Sequence, residues 1–162
     1  MADTVDKNQA VIDFLIQNED IQNSTLYFNF INASDDDKQI VTLSNDTSLA
    51  RSYIDGSIRK QYTFMIICFK SITDSAIVTI PGYQNENLAD IADMQSVIDW
   101  VDRQNKLKNF PDFGECCKIE SISTTTDNPV LEGINTEVTP TLAMYSISIQ
   151  IEYIDISDRI WR

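Results

Sequence analysis

The feature of this sequence that most constrains its fold is a strand-length pattern over residues 57–71 that is apolar on both faces toward its end. Alternate residues of a strand point to opposite faces of a sheet. The side chains expected on one face are Tyr62, Phe64, Ile66 and Cys68, and those on the other are Met65, Ile67 and Phe69. Such a strand is central in its sheet or covered on both sides, and a neighbouring chain is one possible source of the second cover.

Three further segments have a clear period. Residues 145–153 alternate between apolar and polar side chains, which predicts a strand with one buried and one wet face. Residues 6–18 and 88–101 have the three-and-four spacing of amphipathic helices. The second of these helices is expected to end near Lys106, before Pro111 breaks the pattern.

Turn residues define the shorter elements. Two β-rich runs, 26–31 and 39–43, flank a polar cluster and predict a hairpin of two edge strands. Asp55 and Gly56 form the dipeptide that most readily supplies a positive φ, so a tight turn is predicted before the long strand. Residues 118–123 predict one more strand.

Two long loops and a tail are also predicted. One loop carries a small apolar island with Ile77 and Ile80, and the other is polar. The tail contains Trp161, and an apolar residue so close to a terminus usually needs something to dock against. The two loops and the tail are residues 71–87, 124–140 and 155–162.

Strands that follow one another through short turns, with two helices inserted, predict an α+β fold. We expect a single domain over residues 1–162, with an antiparallel β-sheet of four to five strands and two helices packed on one face. A chain of 162 residues with 43% hydrophobic content is large enough to build one core.

The charge is strongly acidic, with 25 Asp and Glu against 12 Lys and Arg and a formal net charge of −13. A surface of this sign repels phosphate, which disfavours binding to a nucleic-acid backbone. It suits solubility, and it also suits the wall of a DNA conduit, because an acidic wall does not trap a passing polyanion. No run approaches the roughly 18 apolar residues of a membrane span, and the acidic start lacks the pattern of a secretion signal, so a cytoplasmic, membrane-free protein is expected.

Residue types that carry chemistry are sparse. The chain has no histidine, which removes the commonest general base, metal ligand and partner of a nucleophile. Its four glycines stand far apart, so neither common Gly-rich phosphate loop is present. Cys68, Cys116 and Cys117 are expected to be reduced, with the last two pointing to opposite faces of a strand.

Carboxylates remain the candidates for acid–base work or for binding Mg²⁺ or Ca²⁺. The aspartate triplet at 35–37 lacks the Gly and distal Glu of a calcium loop and is better explained as a turn. The aspartates of the second helix fit a solvated helix face. They are Asp90, Asp93, Asp99 and Asp102. We therefore expect no catalytic site, no cofactor and no metal.

Three segments, in order, resemble a known family. Residues 51–64, which read Arg-Ser-Tyr-Ile-Asp-Gly-Ser-Ile-Arg-Lys-Gln-Tyr-Thr-Phe, are similar to the entry into the central strand of the tail terminator proteins of long-tailed phages and prophages, often labelled minor capsid proteins. Residues 99–106, followed by Phe110 and Pro111, resemble that family's acidic-Trp to Gln-Asn helix end, and residues 145–153 resemble its closing strand. The resemblance spans about residues 10–154, and the two long loops and the tail depart from it.

The resemblance implies a homohexameric ring at the head–tail junction of the virion, made in the cytoplasm of the bacterial host. Such a ring caps the tail tube, joins it to the neck or head-completion proteins, and lets DNA pass through its lumen without sequence-specific binding. Subunit or lumen contacts are expected at Tyr53, Asp55 and Arg59, with Asp55-Gly56 as a simple hairpin turn the alternative. The loop residues Ile77 and Ile80 and the tail residue Trp161 are further expected contacts.

Three other functions fit the same sequence. A stopper or head-completion protein would share the size, the acidity and the lack of catalytic residues, but not the copy number. A soluble acidic binding module would be monomeric and would bind a basic partner with salt-sensitive affinity. An enzyme that uses only carboxylates would need two of them close together in a pocket, with raised pKa values.

Overall fold

The long strand predicted from the sequence lies in the interior of a six-stranded sheet. The computed structural model describes residues 6–22, 26–28, 38–71, 86–135 and 142–157. The elements in chain order are α1 (Lys7–Leu15), α2 (Glu19–Gln22), β1 (Leu26–Phe28), β2 (Lys38–Ser52), β3 (Ile58–Ser71), α3 (Glu86–Leu107), β4 (Cys117–Thr124), β5 (Val130–Asn135) and β6 (Leu142–Asp155).

The strands follow the order β1-β2-β3-β6-β4, and β5 also pairs with β6. Strand β3 pairs antiparallel with β6 along its whole length, from Ile58 opposite Asp155 to Ser71 opposite Leu142. Strand β2 is much longer than the predicted run at 39–43. It pairs antiparallel with β3, but β1 lies parallel to it, so the predicted hairpin of the first two strands does not form.

The segment 124–140, interpreted from the sequence as a loop, contains β5. Strand β4 pairs with the last residues of β6 and β5 with its first residues, so β4 and β5 follow one edge of β6 in succession. The Thr125 N–H continues the ladder by donating to the Ser148 carbonyl at 2.9 Å. The mostly polar composition of residues 124–140, with Pro129, predicts a loop. The pairing with β6 is what holds Val130–Asn135 extended.

Helices α1 and α3 pack on one face of the sheet, which confirms the α+β fold class. Their apolar stripes meet the inward faces of β3 and β6, and the ring of Phe14 in α1 lies 5.0 Å from that of Trp100 in α3. Phe113, after α3, packs edge-on against Tyr153 with ring centroids 5.4 Å apart. The largest fully buried side chains are Phe14, Leu15, Ile21, Phe64, Ile66, Met94, Ile122, Ile147, Ile149, Ile151 and Tyr153.

The opposite face of β3 carries the second predicted set of apolar side chains. Ile67 and Phe69 are only 5% and 6% exposed in the single chain, and Met65 and Met144 pack against them. The chain itself therefore covers this pair, and a neighbouring chain is not needed there.

The end of α3 is fixed by backbone and side-chain bonds. Lys108 has a positive φ of 55°, and the N–H groups of Lys108 and Asn109 donate to the carbonyls of Asn105 and Gln104 in a Schellman-type cap. The side-chain oxygen of Asn105 accepts from the Ile122 N–H of β4 at 3.0 Å. Asn105 thus anchors the end of α3 to the sheet.

Replacing Asn105 tests this anchor. Asn105→Leu leaves the Ile122 N–H without its acceptor, and we expect the free energy of unfolding to fall by about 1–3 kcal/mol. Asn105→Asp keeps an acceptor oxygen and should be the more stable variant, by about 1 kcal/mol or more. Urea unfolding of the two variants measures the difference. Equal stability of both would show that the hydrogen bond does not hold the helix end.

Candidate functional site

The β2–β3 hairpin ends in a turn whose conformation is fixed by its own hydrogen bonds. The Tyr53 N–H donates to the Ser57 carbonyl at 2.8 Å, and the Gly56 N–H donates to the Tyr53 carbonyl at 3.0 Å. Gly56 has a φ of 88°, which glycine adopts without strain. One oxygen of Asp55 accepts from the Ser57 N–H at 3.0 Å and from its hydroxyl at 2.6 Å. The predicted tight turn is confirmed.

This turn presents a large apolar side chain to solvent. Ile54 is 92% exposed, more than any other large apolar side chain that the structure describes, and its neighbour Tyr53 is 40% exposed. A single exposed apolar residue is ordinary, but this one stands at the tip of a turn whose conformation is held by hydrogen bonds of its own backbone and of Asp55. We call residues 53–57 the hairpin tip.

A groove of about 650 Å³ lies beside the hairpin tip. Its walls come from the tip, from the start of β4 and from the end of β6 with the residue that follows. The lining residues are Tyr53, Ile54, Asp55, Ser57, Lys118, Ile154 and Ile156. The groove is thus mostly apolar, with one carboxylate and one ammonium group available to orient a partner.

Next to the hairpin tip, ion pairs join β3 to β6 on both faces of the sheet. On one face the Arg59 guanidinium donates to Glu152 of β6 and lies 4.0 Å from Glu120 of β4. The hydrogen bond to Glu152 raises the pKa of Arg59. On the other face the Lys60 ammonium lies 2.8 Å from the Asp155 carboxylate. Successive residues of β3 therefore tie both faces of this end to β6.

Asp155 also repeats the local bonding of the hairpin tip. One of its oxygens accepts from the Ser157 N–H at 2.9 Å and from the Ser157 hydroxyl at 2.6 Å. Burial alone would raise the pKa of Asp155, but the hydrogen bonds from Lys60 and Ser157 outweigh it and lower the pKa from 3.8 to about 2. The end of β6 is therefore fixed beside the hairpin tip at neutral pH.

The structure brings together three of the six contact residues predicted from the sequence. Tyr53 and Asp55 lie in the hairpin tip, and Arg59 lies in the adjoining ion pairs, where it joins three strands. Ile77, Ile80 and Trp161 lie outside the described residues.

Sequence reasoning missed five residues of the groove, namely Ile54, Ser57, Lys118, Ile154 and Ile156. A signal for two of them was present. Ile154 and Ile156 continue the series of alternate positions that are polar earlier in β6. An apolar side chain at such a position predicts a contact outside the main core.

The other sequence candidates for chemistry do not converge in the described residues. Asp99 and Asp102 are exposed on α3, as expected of a solvated helix face. The triplet at 35–37 and the side chains of Asp90 and Asp93 lie outside the described part. Among the residues that the structure describes, no group of three Cys, Asp or Glu side chains is placed to hold a metal ion.

The three cysteines are thiols. Cys68 is buried, and Cys116 and Cys117 are half-buried. Cys116 precedes β4 in a turn, so the expected alternation of the vicinal pair across a strand does not apply to it.

No protein-family model matches this chain, and no curated protein matches its sequence. Within the described ranges, no helix is both long and apolar enough to cross a membrane.

The ion pair of Asp155 with Lys60 and its hydrogen bonds with Ser157 make part of the folding stability depend on pH. The unfolded carboxyl takes up a proton near pH 4, whereas the folded one stays charged down to about pH 2, so its contribution is full above about pH 4 and lost as the pH falls to about 2. We expect the free energy of unfolding of the wild type to exceed that of Asp155→Asn by about 1–2 kcal/mol at pH 6 and by little near pH 2. Urea unfolding measures both values.

Asp127→Asn is the matched control, because Asp127 is exposed in the turn after β4. If the difference in free energy of unfolding between wild type and Asp155→Asn did not depend on pH, the ion pair of Asp155 would not contribute as described.

Proposed function

We propose that this chain is a structural virion protein, the ring-forming tail terminator at the head–tail junction of a tailed phage. It acts by contact and carries out no catalysis. The observation that carries this proposal is the hairpin tip, where Ile54 is held almost fully exposed on a turn fixed by hydrogen bonds and backed by ion pairs. A rigid apolar projection loses little conformational freedom when a partner covers it.

The three segments that resemble the tail terminator family form one structural unit here. Residues 51–64 make the hairpin tip and the first half of β3, which pairs with β6 where residues 145–153 lie. Residues 99–106 end α3, whose Asn105 binds the backbone of β4, the other neighbour of β6. The first and third segments are therefore in direct contact, and the second is joined to them through β4.

A closed ring needs two different patches on each subunit, because its contacts are head to tail. The hairpin tip, beside the end of β6, supplies one. Strand β5, paired with the start of β6, supplies the other, since Val130 and Leu131 are 40% and 50% exposed. The strand rise places the two patches roughly 30 Å apart. Each subunit can therefore contact one neighbour on each side.

Such a ring, a hexamer by the family resemblance, would cap the tail tube and bind neck or head-completion proteins. The net charge of −13 suits a lumen through which DNA moves, because it disfavours contacts with the phosphate backbone. The protein would be assembled in the bacterial cytoplasm and retained in the virion, with Tyr53, Asp55 and Arg59 at a subunit or lumen contact.

Removing the exposed side chain tests the hairpin tip. We expect Ile54→Ser to weaken association of the chain with itself and with tail tube subunits by about tenfold or more, because a buried Ile contributes about 1.5–3 kcal/mol. The free energy of unfolding should not change, since Ile54 contacts little within its own chain. Native mass spectrometry and sedimentation velocity, with and without tube subunits, measure the association.

Leu107→Ser is the matched control. Leu107 is 73% exposed at the end of α3 and belongs to neither patch, so its loss should leave assembly unchanged. Equal effects of the two substitutions would remove the case for the hairpin tip. A closed ring of another copy number would favour a different neck component. A chain that stays monomeric with tube subunits and binds a basic partner instead would identify an acidic binding module.

A further inference from the structure

Gly133 lies in β5 at a position where the fold of the single chain gives no reason for glycine. Among the described glycines only Gly56 and Gly114 have a positive φ, so the backbone conformation of Gly133 does not require one. A Cβ atom added at Gly133 would meet nothing within 4 Å. Glycine inside a strand weakens the strand and often marks a place where another backbone approaches closely. The missing side chain therefore leaves room for a second molecule.

Residues 130–133 of β5 form an exposed and mostly apolar edge, which we call the β5 patch. Val130 and Leu131 are 40% and 50% exposed. In the described part of the chain, β5 pairs only with β6, so its other edge has no strand partner. Glu132 is also exposed, and one of its oxygens accepts from the Ser146 hydroxyl at 2.5 Å. This bond positions the carboxylate and leaves its second oxygen open to a cation.

The groove beside the hairpin tip has complementary properties. Its apolar residues are accessible, since Tyr53 is 40% and Ile54 92% exposed, and the two isoleucines at and after the end of β6 are half-buried. The carboxylate in the groove, Asp55, already accepts two hydrogen bonds from Ser57. The Lys118 ammonium is exposed and, among the described residues, forms no ion pair. An apolar strand edge with one carboxylate therefore fits this groove in both shape and charge.

We propose that the groove beside the hairpin tip binds the β5 patch of a second copy of the chain. Val130 and Leu131 fill the apolar part of the groove, and Glu132 pairs with Lys118. The absent side chain of Gly133 lets the hairpin tip approach the backbone of β5. This contact deepens the proposed function, on which it rests for the presence of a second copy, because it names the two surfaces that meet between subunits.

The same chain cannot supply this contact. Strand β5 pairs with the first residues of β6, from Leu142 to Ser146, whereas the groove lies at its last residues, near Ile154. At the strand rise the two places are roughly 30 Å apart. Strand β6 pairs with β3 along its whole length, which keeps it extended and its two ends apart. The β5 patch that enters the groove therefore belongs to another copy.

Filling the space at Gly133 tests the contact. We expect Gly133→Gln to weaken self-association by about tenfold or more, because its side chain would occupy the space of the hairpin tip. The free energy of unfolding should not fall, since the added side chain meets nothing in its own chain. Ser123→Gln, at an exposed position of β4 outside both surfaces, is the matched control and should associate like wild type. Sedimentation velocity and native mass spectrometry over a range of concentrations measure association, and urea unfolding measures stability.

A charge exchange identifies the two surfaces. We expect Lys118→Glu and Glu132→Lys each to weaken self-association by about fivefold, because each places two like charges in contact. An equimolar mixture of the two variants should recover most of the loss, since every contact between them again joins opposite charges. One substitution makes the net charge more negative and the other makes it less negative. A general effect of net charge therefore cannot weaken both.

Three results would overturn this inference. They are a Gly133→Gln chain that associates like wild type, a mixture that associates no better than its components, and a wild-type chain that stays monomeric both alone and with tail tube subunits. The third result would remove the proposed function as well.

The other outcomes separate the two proposals. A wild-type assembly that Gly133→Gln abolishes, but that stops at two copies or does not cap the tail tube, would remove the terminator function alone. A ring on the tail tube that forms equally well with Gly133→Gln would remove this contact alone.

Discussion

The pairing of β3 with β6 is the interaction on which the rest of this structure depends. The two strands pair in register along their whole length, and their inward side chains form the floor on which α1 and α3 pack. Such burial is favourable in proportion to the apolar area removed from water. Because β2, β4 and β5 each pair with one of these two strands, an error in this register would displace every surface described above.

The same pairing explains why one end of the sheet is suited to contact. At that end the apolar ladder gives way to ion pairs on both faces, Arg59 with Glu152 and Lys60 with Asp155. The ion pairs and the local bonds of Asp55 hold the hairpin tip in one conformation. The structure can thus keep Ile54 exposed without the loop folding back over it.

Two grooves of the molecule differ in character, and the difference suits two kinds of contact. The groove beside the hairpin tip is apolar with balanced charge, so shape and burial would govern what fits it. A second groove, along α1, is bordered by the carboxylates of Asp6, Asp13 and Asp112, so charge would govern what fits it.

The sequence alone determined the α+β class, the central strand with two apolar faces, the one-sided strand β6, the two main helices and the Asp55-Gly56 turn. Each has a local cause in the period of its apolar residues or in a turn dipeptide. Only the tertiary structure decided that β1 lies parallel to β2, that β5 forms in a polar segment, and that Ile154 and Ile156 meet the hairpin tip in one groove. These features depend on pairing and proximity between residues far apart in the chain, which no local pattern encodes.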